Sequence, residues 1–189
     1  MAAGALLLLS PLLLWVALRI KLDSPGPVFF RQQRVGRHGV LFRIHKFRTM
    51  VVDAPTLGPP LTVGADPRIT RVGGWLRRTR IDELPQFIDV LQGTMSIVGP
   101  RPEVPRYVAA YPPGLRERAL AVRPGITCPS SLEFLDEAER LAAAADPERE
   151  YVEVILPAKL QRAVDYAERA TLGSDIGVLA ATARRLLRR

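Results

Sequence analysis

The sequence predicts an α+β protein that is mainly helical, and three observations carry that prediction. The chain opens with an apolar run free of charged side chains, Met1 to Leu18. A basic stretch of strand character follows, Val28 to Val35 and Val40 to Thr49. Beyond it, short amphipathic helices alternate with Pro- and Gly-rich turns. The first charged flank divides the chain into an apolar membrane segment, residues 1–22, and one further domain, residues 23–189. A second independent core is not expected in 189 residues.

The opening run holds eight leucines together with Trp15 and Val16. As a straight helix it would span about 27 Å at ~1.5 Å per residue, marginally short of the ~30 Å hydrocarbon core. Ser10 and Pro11 interrupt it near the middle. Proline removes a backbone donor and kinks a helix, and the Ser10 hydroxyl is the nearest group that can satisfy the freed carbonyl in lipid. Two topologies follow, a kinked span or a re-entrant hairpin that dips into one leaflet, and in either case Arg19 and Lys21 put the C-terminal flank on the cytoplasmic side. A signal peptide is disfavoured: no basic region precedes the run and no small-residue cleavage site follows it.

The strand-like stretch reads as a β-hairpin whose turn, Gly36-Arg37-His38-Gly39, uses glycine for positive φ. Arg31, Arg34, Arg37, Arg43, Lys46 and Arg48 make it strongly basic, which for most of them suits a solvated or headgroup-facing surface. Residues 52–66 form an aperiodic loop. Asp66-Pro67 then has the form of a cap and first-turn proline for a helix running to Thr79, in which Trp75 and Leu76 pack against the core or the interface. A central helix follows with apolar Leu84, Phe87, Ile88 and Leu91, ended by Gly93. Short helices are expected over 104–111 and 115–122, and stiff turns at 96–105 and 123–127. A longer helix over 147–170 has Pro157 as its kink. The last helix, 175–189, places Ile176, Leu179, Ala183, Leu186 and Leu187 in one stripe beside Arg184, Arg185, Arg188 and Arg189. That pattern suits either the membrane interface or docking on the core.

Charge narrows the partners. Lys and Arg number 27 against 19 for Asp and Glu, a net charge of +8 and a pI near 10.5, with Arg providing most of the excess. Anionic lipid, nucleotide or nucleic acid would each satisfy such a balance. Nucleic acid is disfavoured as the main partner, because aromatics are only 6% of residues and no zinc-finger, RNP-type or basic-zipper pattern is present. Cys128 is the only cysteine, which rules out an internal disulfide and suits a small buried side chain. His38 and His45 show no metal-ligand spacing and read as ordinary strand or turn residues.

The stretch from Arg77 to Pro102 concentrates the chemistry. Asp82 and Glu83 stand between a cationic cluster, Arg77, Arg78 and Arg80, and a stiff turn that presents Arg101. Carboxylates and guanidinium groups at this density point to work on a phosphate, with a carboxylate as nucleophile or metal ligand. The bland alternative makes Asp82 a helix cap and Glu83 a first-turn acid.

Six ordered blocks decide between these readings: Leu9-Ser10-Pro11, Asp23 to Gly36 (DSPGPVFFRQQRVG), Lys46 to Met50 (KFRTM), Asp82 to Gln86 (DELPQ), Ser96 to Glu103 (SIVGPRPE) and Arg123 to Thr127 (RPGIT). Along nearly its whole length the chain resembles the bacterial sugar transferases, small membrane-bound phosphoglycosyl transferases that start glycan and exopolysaccharide assembly on a polyprenyl phosphate carrier. The resemblance implies the re-entrant, helix-break-helix form of the membrane segment, broken at Ser10 and Pro11. It also implies a compact helical catalytic domain with amphipathic interfacial helices on the cytoplasmic face of the bacterial inner membrane. The implied reaction moves a sugar phosphate from a UDP-sugar to polyprenyl (undecaprenyl) phosphate and releases UMP. Asp82 is the implied nucleophile, through a covalent aspartyl phospho-sugar, with Glu83 as a supporting acid. Lys46, Arg77 and Arg101 are the expected phosphate contacts, and Arg78 and Arg80 surface or headgroup cations. Mg²⁺ is the expected metal, held by Asp82, phosphate oxygens and water. Membrane lipid is an expected partner, and a homo-oligomer is left open. Where the family carries glycine and an aromatic residue after Thr127, Cys128-Pro129-Ser130-Ser131 stands here, so the sugar features read at that turn stay open. The rival readings are a non-catalytic membrane scaffold of a glycan-assembly pathway and a basic lipid or nucleic-acid binder.

Overall fold

The computed structural model describes residues 2–59, 61–134 and 136–187, and within them the chain is mostly helical with three short two-stranded ladders. Helix α1, Ala2–Asp23, runs without interruption through Pro11 and is long and apolar enough to cross a membrane. Pro11 cannot donate to the carbonyl of Leu7, and the Ser10 hydroxyl takes over that carbonyl at 2.8 Å. One side of the helix is already occupied. Val16 and Ile20 are buried with Phe47 and Leu76, and Trp15 meets Trp75 edge-on at 5.7 Å. The other side leaves Leu7, Leu8, Leu14 and Leu18 exposed.

Strands β1, Phe29–Phe30, β2, Gln33–Val35, β3, Leu41–Arg43, and β4, Lys46–Phe47, form two antiparallel ladders, β2 with β3 and β1 with β4. The turn between β2 and β3 takes positive φ at His38 and Gly39, whereas Gly36 stays at φ −101°, so the first glycine is not the residue the turn requires. Two arginines of this stretch are not surface cations. Arg34 reaches the Pro102 carbonyl at 3.0 Å and lies 3.6 Å from Glu103. Arg48 is buried and donates to Pro27 O, Ser24 Oγ and Ser24 O at 2.6–2.9 Å, locking the C-terminal end of α1 onto the domain. A guanidinium near that end also complements the helix dipole.

Helix α2, Ala54–Leu57, sits within the loop that precedes α3, Arg71–Thr79. Thr70, not Asp66, caps α3, accepting from the Gly73 N–H at 3.0 Å. Asp66 instead pairs with Arg68, whose guanidinium also holds the carbonyls of Ala54, Pro59 and Leu61 and so pins the loop. The expected central helix divides into a 3₁₀ turn, Ile81–Gln86, and helix α4, Phe87–Leu91, with Gly93 at φ +77° beyond its end. Pro85 lacks the N–H that an α-turn would direct at Ile81, which favours the tighter winding.

Strand β5, Ser96–Val98, is followed by α5, Pro105–Ala109, and α6, Leu115–Leu120. Strand β6, Gly125–Thr127, returns to pair parallel with β5. Helices α7, Pro129–Glu133, α8, Glu137–Ala143, and α9, Pro147–Glu150, lead into a π turn, Tyr151–Ile155, and α10, Leu156–Arg169. The widened turn immediately before Pro157 is how the long helix absorbs that proline. A second core gathers Val104, Tyr107, Leu141, Ile155, Leu160 and Val164 from α5 to α10 and the segments beside them.

The last helix, α11, Leu172–Leu187, docks through Val178 and through Thr182, whose Oγ1 lies 2.9 Å from Thr127 Oγ1. The expected apolar stripe is thereby split: Ile176 and Ala183 are exposed while Leu179 and Leu186 are partly covered. Arg188, Arg189 and the side chain of Leu187 lie outside the described residues.

Candidate functional site

Arg80 takes φ 59° and closes α3, so the chain reverses and enters the 3₁₀ turn with Asp82 and Glu83 in its first residues. Asp82 is therefore not the cap of a helix. Both carboxylates are almost completely buried, at 1% and 4% exposure. Buried charges must be paired, and here the cations come from three separate segments.

Lys46 of β4 lies 2.8 Å from Asp82 Oδ2 and 3.4 Å from Glu83 Oε1. Arg101, presented by the proline-flanked turn after β5, donates to Glu83 Oε1 at 2.7 Å, and Arg80 lies 3.6 Å from Glu83 Oε2. Glu83 thus has both oxygens engaged. Burial pushes its carboxyl upward, but Arg101, then Arg80 and Lys46, outweigh that and hold it well below the usual carboxylate range. Reciprocally, Glu83 raises the Arg101 guanidinium. Asp82 differs: its Oδ1 is buried and has no hydrogen-bond partner among the described residues.

That carboxylate lines a cavity of about 940 Å³, together with Lys46, Arg77, Arg80, Arg101, Glu103 and Tyr151. Glu83 is not among the lining residues, so it anchors the cations from beneath. Arg77 is held by Thr62 Oγ1 at 2.8 Å; burial lowers its guanidinium while Asp82 pulls the other way. The pinned loop of residues 52–66 contributes Ala54, Pro55 and Thr62 to the same cavity.

The structure therefore brings Lys46, Arg77, Asp82 and Arg101 to one cavity and sets Glu83 immediately behind it. Arg80, expected at the surface, belongs to the same group. Its role was hidden because the reversal at Arg80 depends on a left-handed residue that no glycine announces. A further pair was missed: His45 and Asp89, both buried, join through His45 N–H to Asp89 Oδ2 at 2.8 Å and Nδ1 to Oδ1 at 2.7 Å. An acid within the otherwise apolar run FIDVL was the available signal. Ser10 and Pro11 lie in α1, away from this cluster in sequence and in packing.

Among the described residues no three His, Cys, Asp or Glu side chains are grouped to hold a metal. Among the buried side-chain atoms described, Asp82 Oδ1 is the carboxylate oxygen without a partner. One carboxylate plus phosphate oxygens and water fits the habit of Mg²⁺, which keeps several waters and seldom uses an all-protein cage.

Glu83→Gln should expose how the cluster is held together. Removing one partner of a buried ion network is expected to cost about 3 kcal/mol or more at neutral pH. Because the folded Glu83 carboxyl lies below its unfolded value, its contribution is complete above about pH 4.3 and is lost as pH falls through the lower folded value. The thermal midpoint of the parent should thus drop on acidification through that window more steeply than that of Glu83→Gln. Parallel profiles would remove Glu83 from the acid response.

Comparison with known proteins adds independent evidence. The family model described as bacterial sugar transferase matches residues 1–189. The chain is 57% identical over 99 residues to the exopolysaccharide production protein PSS of Rhizobium leguminosarum bv. phaseoli, covering 52% of this chain and 50% of that one. It is 48% identical over 129 residues to the UDP-glucose:undecaprenyl-phosphate glucose-1-phosphate transferase of Escherichia coli strain K12, covering 67% and 28%. A protein of the same description from Xanthomonas campestris pv. campestris is 39% identical over 192 residues, covering 99% of this chain and 37% of the relative. The chain spans half or less of the length of these relatives.

Proposed function

We propose, from the premise that this chain belongs to the bacterial sugar transferase family, that it transfers a sugar phosphate from a UDP-sugar to polyprenyl phosphate and releases UMP. Relatives described as acting between UDP-glucose or UDP-N-acetylgalactosamine and undecaprenyl phosphate support that substrate class. The single observation that carries the reading is Asp82: a buried carboxylate with one oxygen clamped by Lys46 and the other unpartnered, in a cavity otherwise rich in Lys and Arg.

The free oxygen of Asp82 attacks the phosphorus bonded to the sugar. The bond from that phosphorus to the UMP oxygen breaks, UMP leaves with the electron pair, and an aspartyl phospho-sugar remains. A phosphate oxygen of the polyprenyl carrier then attacks the same phosphorus, the Asp82 carboxylate departs, and the polyprenyl diphospho-sugar is formed. Lys46 steers the carboxylate, and Arg77, Arg80 and Arg101 neutralise oxygens that stay charged throughout. Mg²⁺ held by Asp82 and the substrate phosphates would supply further neutralisation of the departing UMP oxygens.

The lipid substrate gives α1 its part. Its exposed leucines suit lipid while Val16 and Ile20 pack it against the domain, which supports a reading in which the cavity works close to the headgroups on the cytoplasmic face of the inner membrane. In this reading Ser10 and Pro11 lie at the bend of a re-entrant segment, where the Ser10 hydroxyl satisfies the Leu7 carbonyl that Pro11 leaves without a donor.

Incubation with UDP-sugar carrying labelled sugar, with Mg²⁺ but no carrier, should leave roughly one hydroxylamine-sensitive label per chain. Label absent from a preparation that releases UMP on adding carrier would instead demand a direct displacement.

A further inference from the structure

We infer that His45 and Asp89 are positioning residues that set Lys46 against Asp82, an inference resting on the transfer chemistry proposed above. His45 immediately precedes β4, whose first residue is Lys46, and Asp89 lies on α4, which continues directly from the turn bearing Asp82 and Glu83. The clamp therefore joins the two segments that carry the opposed charges of the site. Both Asp89 oxygens are taken by His45, one through the backbone N–H and one through the ring. Behind the carboxylate, the Asp89 carbonyl accepts from Thr94 N–H, Met95 N–H and the Thr94 hydroxyl, so the aspartate is braced from both ends. Phe29 covers the imidazole edge-on at 6.3 Å.

The need for such a brace follows from the shortness of β4. Its ladder with β1 is two residues long, Phe29 with Phe47 and Phe30 with Lys46, and the lysine side chain is flexible. Ile44 N–H to Gln32 O at 3.1 Å and Arg48 N–H to Val28 O at 2.9 Å extend that pairing by one bond on each side, but all of these bonds tie β4 to the β1 side and none ties it to the turn that carries Asp82. A displacement of ~1 Å there would break the 2.8 Å contact of Lys46 with Asp82 and can cost ~10²-fold in rate. Neither His45 nor Asp89 lines the cavity, so neither touches substrate. Their effect passes through Lys46.

The test uses the full chain in membrane fractions or detergent micelles. Asp89→Leu removes both acceptors at similar volume. Asp89→Asn keeps an oxygen for the His45 N–H and offers an amide N–H to the ring in its other tautomer. Asp89→Leu is expected to lower kcat for UMP release about 30-fold while the KM for UDP-sugar moves less than about threefold, with Asp89→Asn within about threefold of the parent.

A second readout is independent of turnover: acetylation of Lys46 by an amine-directed reagent, followed by peptide mass spectrometry with Lys159 as the internal reference. Asp89→Leu should speed modification of Lys46 about fivefold or more, as the amine is no longer held in its ion pair, without a matching rise at Lys159. Should Asp89→Leu not accumulate folded, His45→Phe keeps the packing and the backbone bond, and the same selective rise at Lys46 is expected. Equal acceleration at both lysines, or a normal kcat with normal Lys46 reactivity, overturns the positioning role. If the parent releases no UMP yet Lys46 responds selectively, the transfer reading fails and the clamp stands.

Discussion

Asp82→Asn is expected to reduce UMP release by on the order of 10³-fold or more while the protein still partitions with membranes. Asparagine matches the shape of aspartate, and its oxygen can keep the contact that Lys46 now makes at 2.8 Å. What disappears is the negative charge and the capacity to form an acyl phosphate. Stability should change little, because Lys46 retains Glu83 at 3.4 Å and the apolar helix α1 is fastened elsewhere, through Val16, Ile20 and the Trp15–Trp75 contact. The measurement pairs carrier-dependent UMP release with the label-trapping assay. Near-normal turnover in the variant would remove Asp82 as nucleophile. Lost turnover with undiminished trapping would move the covalent step to another residue.

Gly73→Ala should lower stability markedly. A Cβ at Gly73 would stand 2.0 Å from the Thr49 carbonyl oxygen and 2.6 Å from its carbon, both backbone atoms that cannot rotate away. Glycine is needed there because the first turn of α3 lies directly on the strand segment that carries Lys46, and Thr70 N–H donates to the same carbonyl at 3.0 Å. Alanine improves helix propensity by ~1 kcal/mol, and overpacking against fixed backbone costs ~3 kcal/mol or more, so the net sign is destabilising. For a chain of this size that corresponds to a fall of roughly 5–10 °C in thermal midpoint. Gly74→Ala supplies the control one residue on, where the nearest atom to a new Cβ is Arg78 Nη1 at 3.6 Å. It should be neutral or stabilising by up to ~1 kcal/mol. A midpoint for Gly73→Ala equal to that of Gly74→Ala would contradict the close approach of α3 to Thr49.

Asp82, Lys46, Arg77 and Arg101, the residues that the family resemblance singles out, line one cavity. The helices that open at Pro105 and Pro147 were legible in the sequence, because proline acts locally, whereas α7, which opens at Pro129, was not expected. The misjudged residues share one feature, that their partners are remote in sequence. Arg34 finds Pro102 and Glu103, Arg48 finds Ser24 and Pro27, and His45 finds Asp89. Arg34 and Arg48 were read as surface cations because an arginine in a basic strand looks solvated until something is packed over it. Thr70 displaced Asp66 as the cap of α3 because Arg68 claims the Asp66 carboxylate.

By itself, then, the sequence determined which chemical groups are present and where the chain must turn: an apolar helix with a proline answered by its own serine, adjacent acids, and arginines set in rigid turns. These depend on side-chain chemistry and on dihedral limits that act within a few residues. Only the tertiary structure decided which carboxylate is left open and which is neutralised. That choice depends on how close Lys46, Arg80 and Arg101, brought together from separate segments, come to Asp82 and Glu83 once water is excluded.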